Sequence, residues 1–189
     1  MTYRWEITRD VLAPGVIAIV RTQDAQSAID AAVPLLDAGF TSLELPLTNP
    51  GALEAIAHLA KTNATIGAGT VLDEASAVLA IRAGARFLVA PNVEPAVIRT
   101  AHRHGVAVIP GAATVTEIVH ALELGADAVK VFPAPTPRWV SDVLAALPHA
   151  PLVPTGGITP DTVPGYLAAG AASCGIGRAL TPAHRPPRG

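Results

Sequence analysis

The sequence predicts an α/β fold, a (β/α)8 barrel of the TIM type, in which a parallel sheet closes on itself. Short runs rich in Val, Ile and Leu alternate along the chain with longer Ala-rich segments of helical period. Strands that alternate with helices in this way indicate a parallel sheet. The chain offers eight such strand segments, and eight units favour closure into a barrel.

Local signals assign each element. The predicted strands are Val16–Val20, Ser42–Leu45, Thr65–Ala68, Phe87–Ala90, Ala107–Ile109, Ala128–Phe132, Leu152–Pro154 and Ser173–Ile176. Helices are predicted near residues 24–38, 51–61, 74–83, 94–104, 114–124, 137–147 and 160–169. Helix starts carry N-cap residues, namely Asp24, Asp73, Thr114 and Thr159. Helix ends carry glycines that suit a left-handed C-cap, namely Gly39, Gly84, Gly105, Gly125 and Gly170. A further short helix over Trp5–Leu12 is predicted to cover the bottom of the barrel.

The final helix of the barrel is predicted to be missing. Soon after Ile176 the chain reaches prolines at positions 182, 186 and 187, which exclude a long helix. We therefore expect one domain over residues 1–189, with 181–189 as a Pro-rich tail. The chain of 189 residues is slightly shorter than the roughly 200 residues usual for this fold.

Composition argues against several classes of function. The net charge of −2 gives no reason to expect nucleic acid or an anionic membrane as a partner. No apolar run approaches the roughly 18 residues of a membrane span, and no signal peptide is recognisable. A single cysteine, Cys174, fits a reducing cytoplasm and suggests a small core residue. Because no set of Asp, Glu, His and Cys suggests a metal site, chemistry without a metal or another cofactor is expected.

Lys130 is the first candidate for catalysis. The chain has two lysines, and Lys61 lies at a predicted helix end, where a cation is ordinary. Lys130 interrupts a buried strand, where a lysine is seldom tolerated. Alternation puts it on one face with Ala128 and Phe132, and apolar surroundings favour the free amine that attacks ketones. The alternative is a lysine paired with a carboxylate inside the barrel for structure alone.

Glu44 and Arg21 lie, like Lys130, at or near the carboxyl ends of predicted strands. That is the face of a barrel on which active sites are built. Together the three side chains suggest a lysine that forms an imine, a carboxylate that moves protons and an arginine that binds an acidic substrate. The alternative is a buried ionic cluster, which is costly.

Glycine turns follow the last two predicted strands. Gly156 and Gly157 come after the seventh strand, and Gly177 and Arg178 come after the eighth. These loops form the frequent phosphate site of such barrels. Glycines let backbone N–H groups approach an anion, and an arginine adds charged donors. Tight turns without a ligand are the alternative.

Seven segments of the sequence resemble the 2-keto-3-deoxy-6-phosphogluconate and 2-keto-3-deoxy-6-phosphogalactonate aldolases, a family of class I barrel enzymes. They are IAIVR (17–21), LELPL (43–47), IGAGTVL (66–72), VAPN (89–92), IPG (109–111), VKVFP (129–133) and PTGGI (154–158). The resemblance implies that Lys130 forms the Schiff base and that Glu44 is the catalytic acid and base. It also implies that Thr70 and Pro91 line the pyruvate pocket, that Phe132 packs beside the imine, and that the protein is a homotrimer.

Two departures bear on the substrate. Thr48 stands where gluconate-type enzymes carry an arginine, so the chain is more similar to the phosphogalactonate type, with Arg21 for the substrate carboxylate. Arg178 stands where the family has a serine in the phosphate loop. The expected activity is cleavage of 2-keto-3-deoxy-6-phosphogalactonate, a phosphorylated keto-deoxy sugar acid, to pyruvate and glyceraldehyde 3-phosphate.

Other functions stay open at this point. The same chemistry serves the gluconate epimer and 4-hydroxy-2-oxoglutarate. A phosphosugar isomerase or epimerase would use Glu44 for proton abstraction without an imine, and a non-catalytic barrel would use neither residue.

Overall fold

Residues 2–180 are described by the computed structural model, and they form eight helices and nine strands. The helices are α1 (Arg4–Leu12), α2 (Ala25–Asp37), α3 (Ala52–Leu59), α4 (Glu74–Ala83), α5 (Pro95–His104), α6 (Val115–Glu123), α7 (Pro137–Ala146) and α8 (Val163–Ala168). The strands are β1 (Val16–Ile19), β2 (Ser42–Pro46), β3 (Thr65–Gly69), β4 (Phe87–Val89), β5 (Ala107–Ile109), β6 (Gly111–Ala112), β7 (Val129–Val131), β8 (Leu152–Pro154) and β9 (Cys174–Ile176).

The strands form one curled parallel arrangement of the TIM-like kind. Six of them pair in the order β5-β4-β3-β2-β1-β9, and three more pair in the order β6-β7-β8. The two groups meet at both ends. Only Pro110 separates β5 from β6, and an isolated bridge between Thr155 and Gly175 links the end of β8 to β9. The predicted α/β fold with a parallel sheet is therefore confirmed.

The fifth predicted strand, Ala107–Ile109, is confirmed as β5, and a short strand that was not predicted, β6, follows it after Pro110. Residues before the proline, in β5, pair with β4, whereas residues after it, in β6, pair with β7. A proline has no N–H to donate to a ladder, but its carbonyl still accepts a hydrogen bond of 2.9 Å from the Lys130 N–H. The strand therefore continues past Pro110 with its pairing transferred to the next neighbour.

The two faces of the sheet bury different sets of side chains. Val129 and Val131 of β7 pack outward against Ile118 of α6 and Val140 of α7. Ala128, next to Val129, belongs instead to the inner cluster. The alternation predicted for this strand is confirmed, and it is what turns Lys130 toward the interior.

Helix α1 fills the amino-terminal end of the sheet, as predicted. Its buried residues Ile7 and Val11 pack in one cluster with interior side chains such as Phe87 of β4 and Ile109 of β5. The interior below the site is thus a packed apolar core, as is usual in such barrels.

Most of the predicted helix limits are also confirmed. The five glycines expected to end helices all have positive φ angles, namely Gly39, Gly84, Gly105, Gly125 and Gly170. Helix α8 begins later than predicted, after Thr162, because the Thr162 hydroxyl accepts from the Thr159 N–H and closes a turn there. The predicted tail 181–189 and the missing final helix lie outside the described residues.

Candidate active site

Nine of the ten predicted site residues line one cavity of about 540 Å³ at the carboxyl ends of the strands. They are Arg21, Thr70, Pro91, Lys130, Phe132, Gly156, Gly157, Gly177 and Arg178. The tenth, Glu44, lies in β2 and is 3% exposed. The structure thus brings together residues that are up to 157 positions apart in the chain.

Lys130 lies in β7, between β6 and β8. Its side chain is 8% exposed and faces the cavity. Within residues 2–180, neither Lys130 nor Glu44 nor Arg21 has an ion-pair partner within 4.0 Å. The structural ion pair that the sequence left open is therefore absent from the described part of the chain, and the amine is available to a ligand in the cavity.

One oxygen of the Glu44 carboxylate has no hydrogen bond within residues 2–180. Its Oε1 atom is fully buried and has no hydrogen-bond partner among the described residues. The Glu44 backbone is fixed, since its carbonyl accepts from the Val20 N–H at 2.9 Å. A buried carboxylate oxygen without a donor is costly for stability, which is typical of a group retained for chemistry.

Burial and the neighbouring positive charges have opposite effects on the pKa of the Glu44 carboxyl. Burial raises the pKa of the Glu44 carboxyl, while the positive charges of Lys130 and Arg21 act in the opposite direction and lower it. Burial is the largest of these effects. A raised pKa makes the carboxylate a stronger base and brings it closer to the range in which a general acid or base works.

Two exposed arginines lie on one side of the cavity mouth. Arg21 follows β1 and Arg178 follows β9, and these strands pair in parallel with Ala18 opposite Ile176. Both arginines line the cavity. Neither has an ion-pair partner in the described part of the chain. Two unpaired guanidinium groups on neighbouring strand ends favour an anionic ligand.

Thr70 has a strained backbone at the wall of the cavity. Its φ angle is 55°, in the left-handed region that a β-branched residue seldom adopts. Such strain costs about 1–3 kcal/mol and is concentrated at functional sites. The neighbouring backbone holds it in place, because the Gly69 carbonyl accepts from Leu47 N–H at 2.8 Å and Val71 N–H donates to Val89 at 3.1 Å.

The glycine turn after β8 brings the backbone close to Phe132. Gly156 has a φ angle of 100°, and a Cβ atom there would lie 2.9 Å from the Phe132 ring. Phe132 is half exposed at the cavity mouth. The turn therefore presents Gly156 and Gly157 beside an aromatic wall, with Gly177 and Arg178 on the adjoining strand end.

Several residues of the site were not predicted. The cavity is also lined by Ile19, Thr155, Ile158, Thr159, Gly175 and Ala179. Alternation with Arg21 could have identified Ile19, and adjacency to the glycine turn could have identified Thr155. Asn49 lies below the mouth, where its buried side-chain amide donates to the Val20 carbonyl at 2.8 Å. It ties the loop after β2 to the residue before Arg21.

Cys174 is a core residue, as the sequence suggested. Its side chain is fully buried beside Val163 and Ile176, and burial raises the pKa of its thiol to about 11. Within residues 2–180, no three or more His, Cys, Asp or Glu side chains are grouped so as to hold a metal ion. No helix of that stretch is both long and apolar enough to span a bilayer.

Comparisons with known proteins place the chain in a family. The family described as KDPG and KHG aldolase matches residues 7–186. The 2-dehydro-3-deoxy-6-phosphogalactonate aldolase of Escherichia coli (strain K12) is 38% identical over 170 residues, which cover 87% of this chain and 83% of that protein.

Two solved structures share the fold. One, described as a native KDPGal structure, has a TM-score of 0.84 and 35% identity and covers 90% of this chain and 86% of its own. The other is a KDPG aldolase from Legionella pneumophila with pyruvate captured as a covalent carbinolamine intermediate. Its TM-score is 0.83 at 27% identity, and it covers 96% of this chain and 89% of its own. The chain belongs to the KDPG and KHG aldolase family.

Proposed function

We propose that this protein is a class I aldolase that cleaves 2-keto-3-deoxy-6-phosphogalactonate to pyruvate and glyceraldehyde 3-phosphate, with Lys130 as the Schiff-base residue. The observation that carries the proposal is the buried, unpaired lysine that faces a cavity with two arginines at its mouth. The covalent pyruvate adduct of the related Legionella enzyme supports the same chemistry.

The first half of the reaction forms an imine and breaks a carbon–carbon bond. The Lys130 amine attacks the C2 ketone, and loss of water gives a cationic iminium. Glu44, directly or through one water, removes the proton of the C4 hydroxyl. The C3–C4 bond then breaks, its electron pair moves toward the iminium nitrogen, and glyceraldehyde 3-phosphate leaves an enamine behind.

The second half releases pyruvate. The protonated Glu44 returns its proton to C3 of the enamine, which restores an iminium. Water hydrolyses this iminium, so that pyruvate leaves and the Lys130 amine is regenerated. The raised pKa of the Glu44 carboxyl supports this double role, since one group must first take up a proton and then give it back.

The remaining cavity residues bind the two anionic ends of the substrate. In our proposal Arg21 pairs with the carboxylate, Thr70 and Pro91 line the pyruvate pocket, and Phe132 packs beside the imine. The phosphate is held by Arg178 and by the backbone N–H groups of the glycine turns, namely Gly156, Gly157 and Gly177. The proximity of these turns on adjoining strand ends supports a single phosphate subsite.

The preferred sugar acid is the galactonate epimer. Support comes from the 38% identity to the E. coli phosphogalactonate enzyme. Thr48, exposed in the loop after β2, also stands where gluconate-type relatives carry an arginine. A polar site that leaves one substrate hydroxyl without a hydrogen bond loses about 1–3 kcal/mol of binding free energy. We therefore expect kcat/KM for 2-keto-3-deoxy-6-phosphogalactonate to exceed that for 2-keto-3-deoxy-6-phosphogluconate by roughly tenfold.

Two measurements test the proposal. Borohydride reduction in the presence of pyruvate should add the mass of a reduced pyruvate imine to the protein, whereas an isomerase, an epimerase or a non-catalytic barrel gains no mass. Coupled assay of released pyruvate from both epimers then tests the substrate. Lack of trapping contradicts the mechanism, and a clear gluconate preference contradicts the substrate assignment alone.

The chain is also proposed to be one domain that completes the eight-stranded barrel and assembles as a homotrimer. The links between β5 and β6 and between β8 and β9 support closure. Leu79, which is 52% exposed, lines an apolar surface pocket together with Leu47 and Leu53, which supports a subunit interface. Calorimetry should give one transition and light scattering a trimer mass. Leu79→Glu should lower that mass.

A further inference from the structure

Gly69, at the end of β3, lies directly against the Glu44 carboxylate. A Cβ atom built on Gly69 would overlap Glu44 Oε1 and would lie 2.7 Å from its carboxyl carbon and 2.9 Å from its Cγ. Ordinary van der Waals contact begins at 3.4 Å. The space that Glu44 occupies therefore exists only because residue 69 has no side chain.

The same glycine also fixes the loop that follows Glu44. Pro46, two residues after Glu44, pairs with Gly69 in the β2–β3 register. The Leu47 N–H donates to the Gly69 carbonyl at 2.8 Å. Gly69 thus contacts Glu44 of β2 through its α-carbon and the residue that follows β2 through its carbonyl. The strained Thr70 follows immediately and turns the chain into the cavity wall.

This contact suggests how the Glu44 carboxylate is oriented although its Oε1 atom has no hydrogen bond in the described part of the chain. Oε1 has no donor to hold it, so packing must orient the group instead. We propose that Gly69 is a positioning residue that sets the Glu44 carboxylate for proton transfer, an inference that rests on the proposed function. The glycine acts through Glu44 and not on the substrate.

The proposal predicts a specific loss of proton transfer. In Gly69→Ala the new methyl group must displace the Glu44 carboxylate by on the order of 1 Å, and such a displacement costs up to about a hundredfold in rate. Pyruvate should still form its imine with Lys130. Exchange of the pyruvate methyl protons with deuterated solvent, which needs the acid–base group, should fall on the order of tenfold to a hundredfold.

A second variant distinguishes a displaced Glu44 carboxylate from a general disturbance of the fold. Glu44→Asp shortens the side chain by one methylene and withdraws the carboxylate from residue 69. Gly69→Ala should therefore change the exchange rate far less in the Glu44→Asp background than in the native one. Gly67→Ala is the matched control in the same strand, because its methyl group would meet the Phe87 ring instead. Its effect should be the same in both backgrounds.

The outcomes are decisive. Native exchange in Gly69→Ala, or an equal loss in both backgrounds, overturns the proposal. If Gly69→Ala does not fold, the double variant Gly69→Ala/Glu44→Asp carries the test: it should fold and should exchange at a rate close to that of Glu44→Asp alone, because the shorter side chain leaves room for the methyl group. A double variant that also fails to fold, or that exchanges far more slowly than Glu44→Asp, overturns the proposal. The unmodified protein must first be shown to trap pyruvate before any variant is compared with it. If the unmodified protein does not trap pyruvate, that result contradicts the proposed function and says nothing about Gly69.

Discussion

The side-chain nitrogen of Lys130 lies 5.6 Å from the centre of the Phe132 ring. A cation at this distance from an aromatic face is attracted by the ring. The iminium of the proposed mechanism carries a positive charge on this nitrogen, both before the carbon–carbon bond breaks and after C3 is protonated. Phe132 therefore faces the atom that is charged in both iminium intermediates.

Lys130→Met is expected to abolish pyruvate trapping and cleavage while the fold survives, because an unbranched apolar side chain suits a buried strand. Mass spectrometry after borohydride reduction measures the adduct, and circular dichroism measures the fold. Lys61→Met, at the only other lysine in the sequence, is the matched control and should trap normally. An adduct that persists in Lys130→Met would move the Schiff base to another amine.

Glu44→Gln is expected to trap pyruvate but to lose most cleavage. Removal of a general base typically lowers the rate by about 10²–10⁴-fold, and the amide keeps the shape that fits against Gly69. Stopped-flow measurement of pyruvate release gives kcat, and the trapped mass reports imine formation. A kcat equal to that of the native protein would exclude Glu44 as the proton carrier.

The same variant should change how stability depends on pH. Burial raises the pKa of Glu44 in the folded protein above the ordinary value of 4.5, so the folded state holds this proton more tightly than the unfolded state. The contribution of Glu44 to stability is therefore present below that value and is lost as pH rises through the raised pKa. Urea unfolding from about pH 4 to about pH 8 should show native protein losing stability relative to Glu44→Gln. A difference that is constant with pH contradicts this.

Arg21→Gln and Arg178→Gln should have separable effects. Loss of a charged hydrogen bond costs about 1.5–3 kcal/mol, roughly tenfold to a hundredfold in binding. Arg21→Gln should weaken trapping of pyruvate, which has a carboxylate and no phosphate. Arg178→Gln should spare pyruvate trapping and raise KM for the phosphorylated substrate. The reverse pattern in titrations of both ligands would exchange the two roles.

The positions of several site residues in the fold could be predicted from the alternation of residues along strands and from the order of strands in the chain. Lys130 could be assigned to the interior because Val129 and Val131 alternate with it, and both valines do pack against helices. Arg21 and the glycine turns could be assigned to one rim because all of them follow strands. These assignments need only local periodicity and the parallel direction of the sheet.

Contacts between strands were beyond the reach of that reasoning. The fit of Glu44 against Gly69 depends on the register of β2 and β3, and the hydrogen bond from Asn49 to Val20 spans 29 positions. The later start of α8 depends on one Thr162 hydroxyl that bonds to the Thr159 backbone. Each follows from the three-dimensional approach of particular atoms, which a periodic pattern does not encode.

Ile7 and Val11 of helix α1 pack into the amino-terminal end of the interior, opposite the strand ends that line the cavity. We therefore expect substrate and both products to pass through the cavity mouth. Under the proposed mechanism pyruvate stays covalently bound after cleavage, so the phosphorylated aldehyde departs first. In the synthetic direction the sequence is inverted, and pyruvate must load before the aldehyde. The covalent bond to pyruvate thereby imposes an ordered kinetic scheme, in which the aldehyde adds only to enzyme that already carries pyruvate.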